Sequence, residues 1–212
     1  MNHKPYSDPG FNKLYNLLFA DDPRLFQMSD DTRSAYPWKI LLDEKAGISD
    51  LNKIAADPGM ESRARALAYH ILRSKGNAVD KKEVLGIIVE VGLDEGLDVL
   101  AAYKDGTARF INHVEKIIVW ETATDQSQAL VKNLFAEGLQ VVKNIGPWDK
   151  DRLPAPGTGD IRISFVVADG LYFGQGPFEV LEKDKMGGPV IRAATQLMVY
   201  LIQQQHPEIA VN

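Results

Sequence analysis

Val84-Leu85-Gly86-Ile87-Ile88-Val89-Glu90-Val91 opens the stretch that decides the fold. It continues through Gly96-Leu97-Asp98-Val99-Leu100-Ala101-Ala102-Tyr103 and Thr107-Ala108-Arg109-Phe110-Ile111-Asn112 to Glu115-Lys116-Ile117-Ile118-Val119-Trp120. The first run is rich in β-branched residues and almost uninterrupted, the composition of a strand buried on both faces. Asp105-Gly106 supplies the positive φ that a tight hairpin needs between the second and third runs, and Asn112-His113 marks the turn into the fourth. Alternation with period two places Ala108 and Phe110 on one face of the third run and Thr107, Arg109 and Ile111 on the other. In the fourth it separates Lys116, Ile118 and Trp120 from Glu115, Ile117 and Val119. The prediction is a meander of adjacent antiparallel strands.

A second β-rich block follows the loop composition Pro154-Ala155-Pro156-Gly157-Thr158-Gly159. Ile161 to Ala168 and Leu171 to Phe173, joined at Asp169-Gly170, read as another hairpin. Phe178 to Glu182 reads as a further short strand, with Pro177 confining its start to a strand end or an edge. Two long helices frame this block. The first starts at Asp125 with the stripe Leu130, Leu134, Phe135, Val141, Val142 and Ile145, and Asp125 with Gln128 resembles a variant capping box. Gly138 interrupts it at a cost of roughly 1 kcal/mol relative to alanine. The second opens at Gly187-Gly188-Pro189 and is expected to end near His206-Pro207.

The first part of the chain is helical in texture. Phe11 to Phe19 fits a short amphipathic helix broken by Asp21-Asp22-Pro23, and a short helical element is expected at Pro23 to Gln27. Ser49 to Asp57 and Glu61 to Lys75 form a pair split by Pro58-Gly59. The runs Ile54-Ala55-Ala56-Asp57 and Glu61-Ser62-Arg63-Ala64-Arg65-Ala66-Leu67-Ala68 resemble one HEAT-type helical repeat. A solenoid needs about three repeats to bury a continuous core, and there is no second copy here. A helical cap on the sheet is the expectation, with Arg63, Arg65, Arg73 and Lys75 on a solvated face. The fold class is therefore α+β: an antiparallel meander sheet packed with two long helices, plus a helical N-terminal portion. Residues 1–78 form that portion and 79–212 the α+β domain, as two units or one continuous domain.

Composition sets the outer bounds. The 212 residues are 45% hydrophobic with a formal charge of −5, enough to bury a core and without a global attraction to nucleic acid or anionic membranes. No apolar stretch has the length of a membrane span, the first ten residues lack the apolar core of a secretion signal, and a soluble cytoplasmic protein is expected. With no cysteine there are no disulfides, and zinc would need histidine and carboxylate ligands.

Local motifs predict no catalytic residue, no metal site and no cofactor. The histidines, His3, His70, His113 and His206, have no partner histidine at helical metal-binding spacing. His113, in a predicted turn with Glu115 and Glu121 downstream, is the best candidate for a ligand contact or general base. No Gly-x-Ser-x-Gly elbow is present. Asp94, Glu95 and Asp98 lack the order of a calcium loop and read as a solvated cluster. Gly157-Thr158-Gly159 and Gly174-Gln175-Gly176 lack the lysine and the strand–loop–helix context of a phosphate loop. Gly187-Gly188 reads as helix initiation.

Two surfaces remain. Tyr103, Arg109, His113, Trp120, Arg162 and Tyr172 would line a sheet face able to take a small anionic or planar ligand if the register gathers them. Val190, Leu197 and Leu201 lie on the wide apolar stripe of the last helix, a candidate protein or homodimer interface. The leading expectation is a non-catalytic binding or assembly protein acting through its sheet face or C-terminal helix. The alternatives are a small-ligand sensor or carrier, the element order being loosely similar to profilin-like and roadblock-like modules, and an enzyme, such as a hydrolase, with an unfamiliar site.

Overall fold

The computed structural model describes residues 3–205. Four N-terminal strands form the expected meander: β1 (Val84–Leu93), β2 (Gly96–Tyr103), β3 (Ala108–Ile111) and β4 (Ile117–Trp120). After a long helix the chain returns as the hairpin β5 (Asp160–Val167) and β6 (Gly170–Pro177), with β5 antiparallel to β1. The sheet has six strands in the order β4-β3-β2-β1-β5-β6. β1 is thus central, as its unbroken apolar composition requires. The fold is α+β with an antiparallel sheet.

Both faces of the sheet are covered. On one lie α1 (Pro9–Leu17), a 3₁₀ turn at Pro23–Leu25, α2 (Asp30–Ser34), α3 (Trp38–Leu41), α4 (Ile48–Ala56) and α5 (Ser62–Ser74). Tyr15, Leu18, Leu51 and Leu67 of this layer share a single core with Ile88, Val99, Ala101 and Ile111 of the sheet. On the other lie α6 (Asp125–Asn144) and α8 (Gly187–Gln205), which bury Leu134, Val142, Val190 and Leu197 against Ile87, Leu100, Phe110 and Phe165. The alternation read for β3 and β4 holds: Phe110, Ile118 and Trp120 face α6 and α8, whereas Ile111 and Ile117 face the N-terminal helices.

Several local expectations are corrected. Phe178 to Glu182 is not a strand; α7 (Phe178–Leu181) is a single helical turn. The preceding Gly174-Gln175-Gly176-Pro177 continues β6, an edge strand that tolerates glycine and proline because its outer side needs no donors. The cap of α6 is Thr124, whose hydroxyl accepts from the Ser127 amide at 3.1 Å while Ser127 Oγ accepts from the Thr124 amide at 3.0 Å. Gly138 is more than an interruption: a Cβ there would lie 2.6 Å from Ile87 Cδ1 and 3.0 Å from Phe165 Cε1, so glycine sets how closely α6 approaches β1 and β5. Nor are the α5 arginines a solvated face. Arg65 is buried and donates to Glu83 and the Ala55 carbonyl, each at 2.9 Å, Arg63 lies over the Tyr103 ring, and Arg73 donates to the Ala168 carbonyl. The expected end of the last helix at His206-Pro207 lies outside the described residues.

Candidate functional site

The six sheet residues do not form one surface. Tyr103, Arg109 and Arg162 point towards the N-terminal helices, whereas Trp120 and Tyr172 point towards α6 and α8. Each is occupied by its own fold. The Tyr103 hydroxyl donates to the Leu18 carbonyl at 2.7 Å, and burial drives its pKa up. Arg109 bridges Ala108, Trp120 and Glu121 at the β3–β4 end of the sheet. Trp120 meets the Tyr200 ring edge-on at 5.6 Å. The Tyr172 hydroxyl donates to Asp169 at 2.8 Å, and desolvation with that hydrogen bond pushes its pKa to about 12. Val190, Leu197 and Leu201 are fully buried against the sheet, so the apolar stripe of α8 is an interior face.

Arg162 is the centre of a buried polar cluster that the strand pattern did not reveal. It stands opposite Glu90 in the β1–β5 register. Its Nε and Nη2 donate to the two Glu90 carboxylate oxygens at 2.7 and 2.6 Å, and the Tyr15 hydroxyl donates to Glu90 Oε1 at 2.7 Å. Nη1 donates to the Leu153 and Pro154 carbonyls. A carboxylate in the middle of a strand buried on both faces demands a cation, because an isolated buried charge is too costly to keep. That demand was the available signal in the sequence. The cluster is closed and has no room for a ligand: Glu90 is 0% and Arg162 3% exposed.

His113 does meet an acidic group, although neither Glu115 nor Glu121 is the partner. Asp98 Oδ1 accepts from the His113 amide at 2.7 Å and lies 2.9 Å from its Nδ1. This locks the β3–β4 turn and takes Asp98 out of the solvated cluster with Asp94 and Glu95.

A cleft of about 740 Å³ opens elsewhere, where four segments converge on the N-terminal-helix side near the β5–β6 turn. The first is the turn after α1, where Ala20 adopts φ 49° and delivers Asp21 and Asp22. Asp22 caps the 3₁₀ turn and binds Arg24 through both oxygens, and the hydrogen bonds from Arg24 hold its carboxyl below the usual range. The second is α5, which presents His70 and Arg73 one turn apart. Burial lowers the His70 pKa, so the ring is neutral at physiological pH.

The third segment follows α6. The Trp148 amide donates to the Leu171 carbonyl at 2.7 Å, its ring packs edge-on against Phe173 at 5.1 Å, and its Nε1 donates to the Asp151 carbonyl at 2.9 Å. This folded loop delivers Arg152, whose side chain is 8% exposed. Its Nε donates to Asp21 at 2.6 Å, its Nη2 to Asn16 at 2.9 Å, and its guanidinium lies over the Phe19 ring at 4.0 Å. Nη1 has no partner among the described residues. The fourth segment is the β5–β6 turn, where Asp169 Oδ2 receives the Tyr172 hydroxyl and Oδ1 is likewise unpartnered.

Four cationic side chains therefore face five carboxylates around this cleft, with His70 neutral beside them. Phe19, Trp148 and Leu171 supply apolar wall. Among the described residues, no group of three His, Asp or Glu side chains converges to hold a metal ion, and no helix is long and apolar enough to cross a membrane. The cleft leaves little local trace in the sequence, because its residues lie far apart in the chain and the loop from Pro147 to Arg152 carries no motif. Its mixed run Asp149-Lys150-Asp151-Arg152 next to a tryptophan was the one visible cue. No protein-family model matches the chain, and no curated protein is similar to it in sequence.

Proposed function

We propose that this protein binds a small polar molecule bearing both an acidic and a basic group, such as an amino acid, in the cleft between the α1 turn, α5, the loop after α6 and the β5–β6 turn. The observation that carries the reading is Arg152: a buried, pre-oriented guanidinium on the cleft wall whose Nη1 has no partner among the described residues. Nη1 can give a carboxylate one charge-assisted hydrogen bond, roughly twice as strong as a neutral one. Asp169 offers the matching acceptor for an ammonium group. The near balance of charges favours a zwitterion over a bare anion. A volume of about 740 Å³ lies within the range of small-molecule sites, about 300–1,000 Å³. Assembly through α8 has less to support it, because its candidate residues are interior and the exposed large apolar residue of that helix is Val199.

Thermal-shift and calorimetric titrations with L-serine, L-glutamate, sodium acetate and sodium phosphate test the reading. At least one amino acid should raise the melting temperature while acetate and phosphate do not. Arg152→Met and Asp169→Ala should each weaken that binding by about 10–100-fold, the value of one charged hydrogen bond. Absence of amino-acid binding, or binding that survives both substitutions, would overturn it.

A further inference from the structure

We infer a second site on the opposite side of the sheet, a chamber for the apolar body of a small amine whose ammonium group meets Asp98. Between β1, β2, β3 and β5 on one side and α7 and α8 on the other lies a cavity of about 280 Å³. Its walls are carbon, supplied chiefly by Val89, Leu100, Phe110, Ile161, Ile191 and Met198. Water gains little in such a space, because it needs two to four polar partners to be held. An apolar solute gains dispersion contacts with every wall.

The polar groups on the lining define the other end of the ligand. The Thr195 hydroxyl is spent on its own helix, donating to the Ile191 carbonyl at 2.9 Å. Asp98 is the one charged side chain among the lining residues. Its Oδ1 is held by the amide and ring of His113, at 2.7 and 2.9 Å, which fixes the carboxylate in place. Oδ2 accepts no hydrogen bond among the described residues, and the side chain is 25% exposed, which places it at the mouth of the chamber. A carboxylate at the rim of a low-dielectric chamber attracts a cation and repels an anion more strongly than it would in water. A fatty acid would fit the walls and fail at the mouth.

Calorimetric titration with hexylamine, hexanol and hexanoate tests the site. Hexylamine should bind about tenfold more tightly than hexanol, with hexanoate weakest. Asp98→Asn should bring hexylamine down to the level of hexanol, and Ala194→Leu, which fills the chamber, should remove binding of both. If Ala194→Leu does not fold, Thr195→Phe at the exposed rim blocks entry without repacking the core and should give the same loss. The proposal is overturned if hexylamine does not bind, if hexanoate matches it, or if the blocked variant binds as the native protein does.

Discussion

Replacing Arg162 with methionine should destabilise the protein by about 3–5 kcal/mol, the usual cost of stripping one partner from a buried ion pair. The structure shows where that cost arises. Arg162 makes two hydrogen bonds to Glu90, one to the Tyr15 hydroxyl and two to the Leu153 and Pro154 carbonyls. Without it, Glu90 keeps only the 2.7 Å hydrogen bond from Tyr15, in a setting where the residue is 0% exposed. Tyr15→Phe removes a single hydrogen bond to a charged acceptor and should cost less, about 1.5–3 kcal/mol. The double substitution Glu90→Leu with Arg162→Met removes both charges and leaves apolar groups of similar bulk. It should fall within about 2 kcal/mol of the native protein, because desolvation offsets most of what a buried pair contributes. Urea denaturation followed by far-UV circular dichroism at neutral pH measures these three variants, Glu90→Leu alone and the native protein. The assignment is refuted if Arg162→Met costs less than about 1 kcal/mol, or if the double variant loses the sum of the losses of Glu90→Leu alone and Arg162→Met alone.

Gly92→Ala places a Cβ 2.6 Å from the Gly157 carbonyl carbon and 2.8 Å from the Pro156 carbonyl oxygen; backbone cannot yield as a side chain tip does, so a loss of about 2–3 kcal/mol in urea denaturation is expected. Glu83 governs acid stability: burial alone would raise its carboxyl, but hydrogen bonds from Lys104, Lys81 and Arg65 hold it at about 2, below the ordinary 4.5. Its contribution is therefore complete above about pH 4.5 and is lost as pH falls towards 2. Glu83→Gln should cost on the order of 1–2 kcal/mol at neutral pH, since the exposure of Lys81 and Lys104 screens part of the attraction. It should also flatten the stability profile in that acid window; an unchanged slope in denaturation midpoints across it would contradict the assignment.

The local layer of this protein is written in its residue pattern. Period-two alternation in Ala108 to Ile111 assigned each side chain to the correct face, because side chains on a strand must alternate. The glycine turns and the apolar stripes of α6 and α8 likewise arise from neighbours within a few residues. The short run from Phe178 misled for the same reason: its residues suit a strand, and only the continuation of β6 beside β5 through Gly174 and Gly176 displaced it into a helical turn. Tertiary structure alone decided which charges meet. Glu90 and Arg162 are 72 residues apart, and Asp98 reaches His113 across a hairpin. Arg152 reaches Asp21 and Asn16 across most of the chain. A cleft made of four distant segments, and a chamber bounded by strands and a helix, exist only once register and packing bring those segments together. A pattern in sequence records the direction in which a side chain points, whereas its partner is fixed by the path of the whole chain.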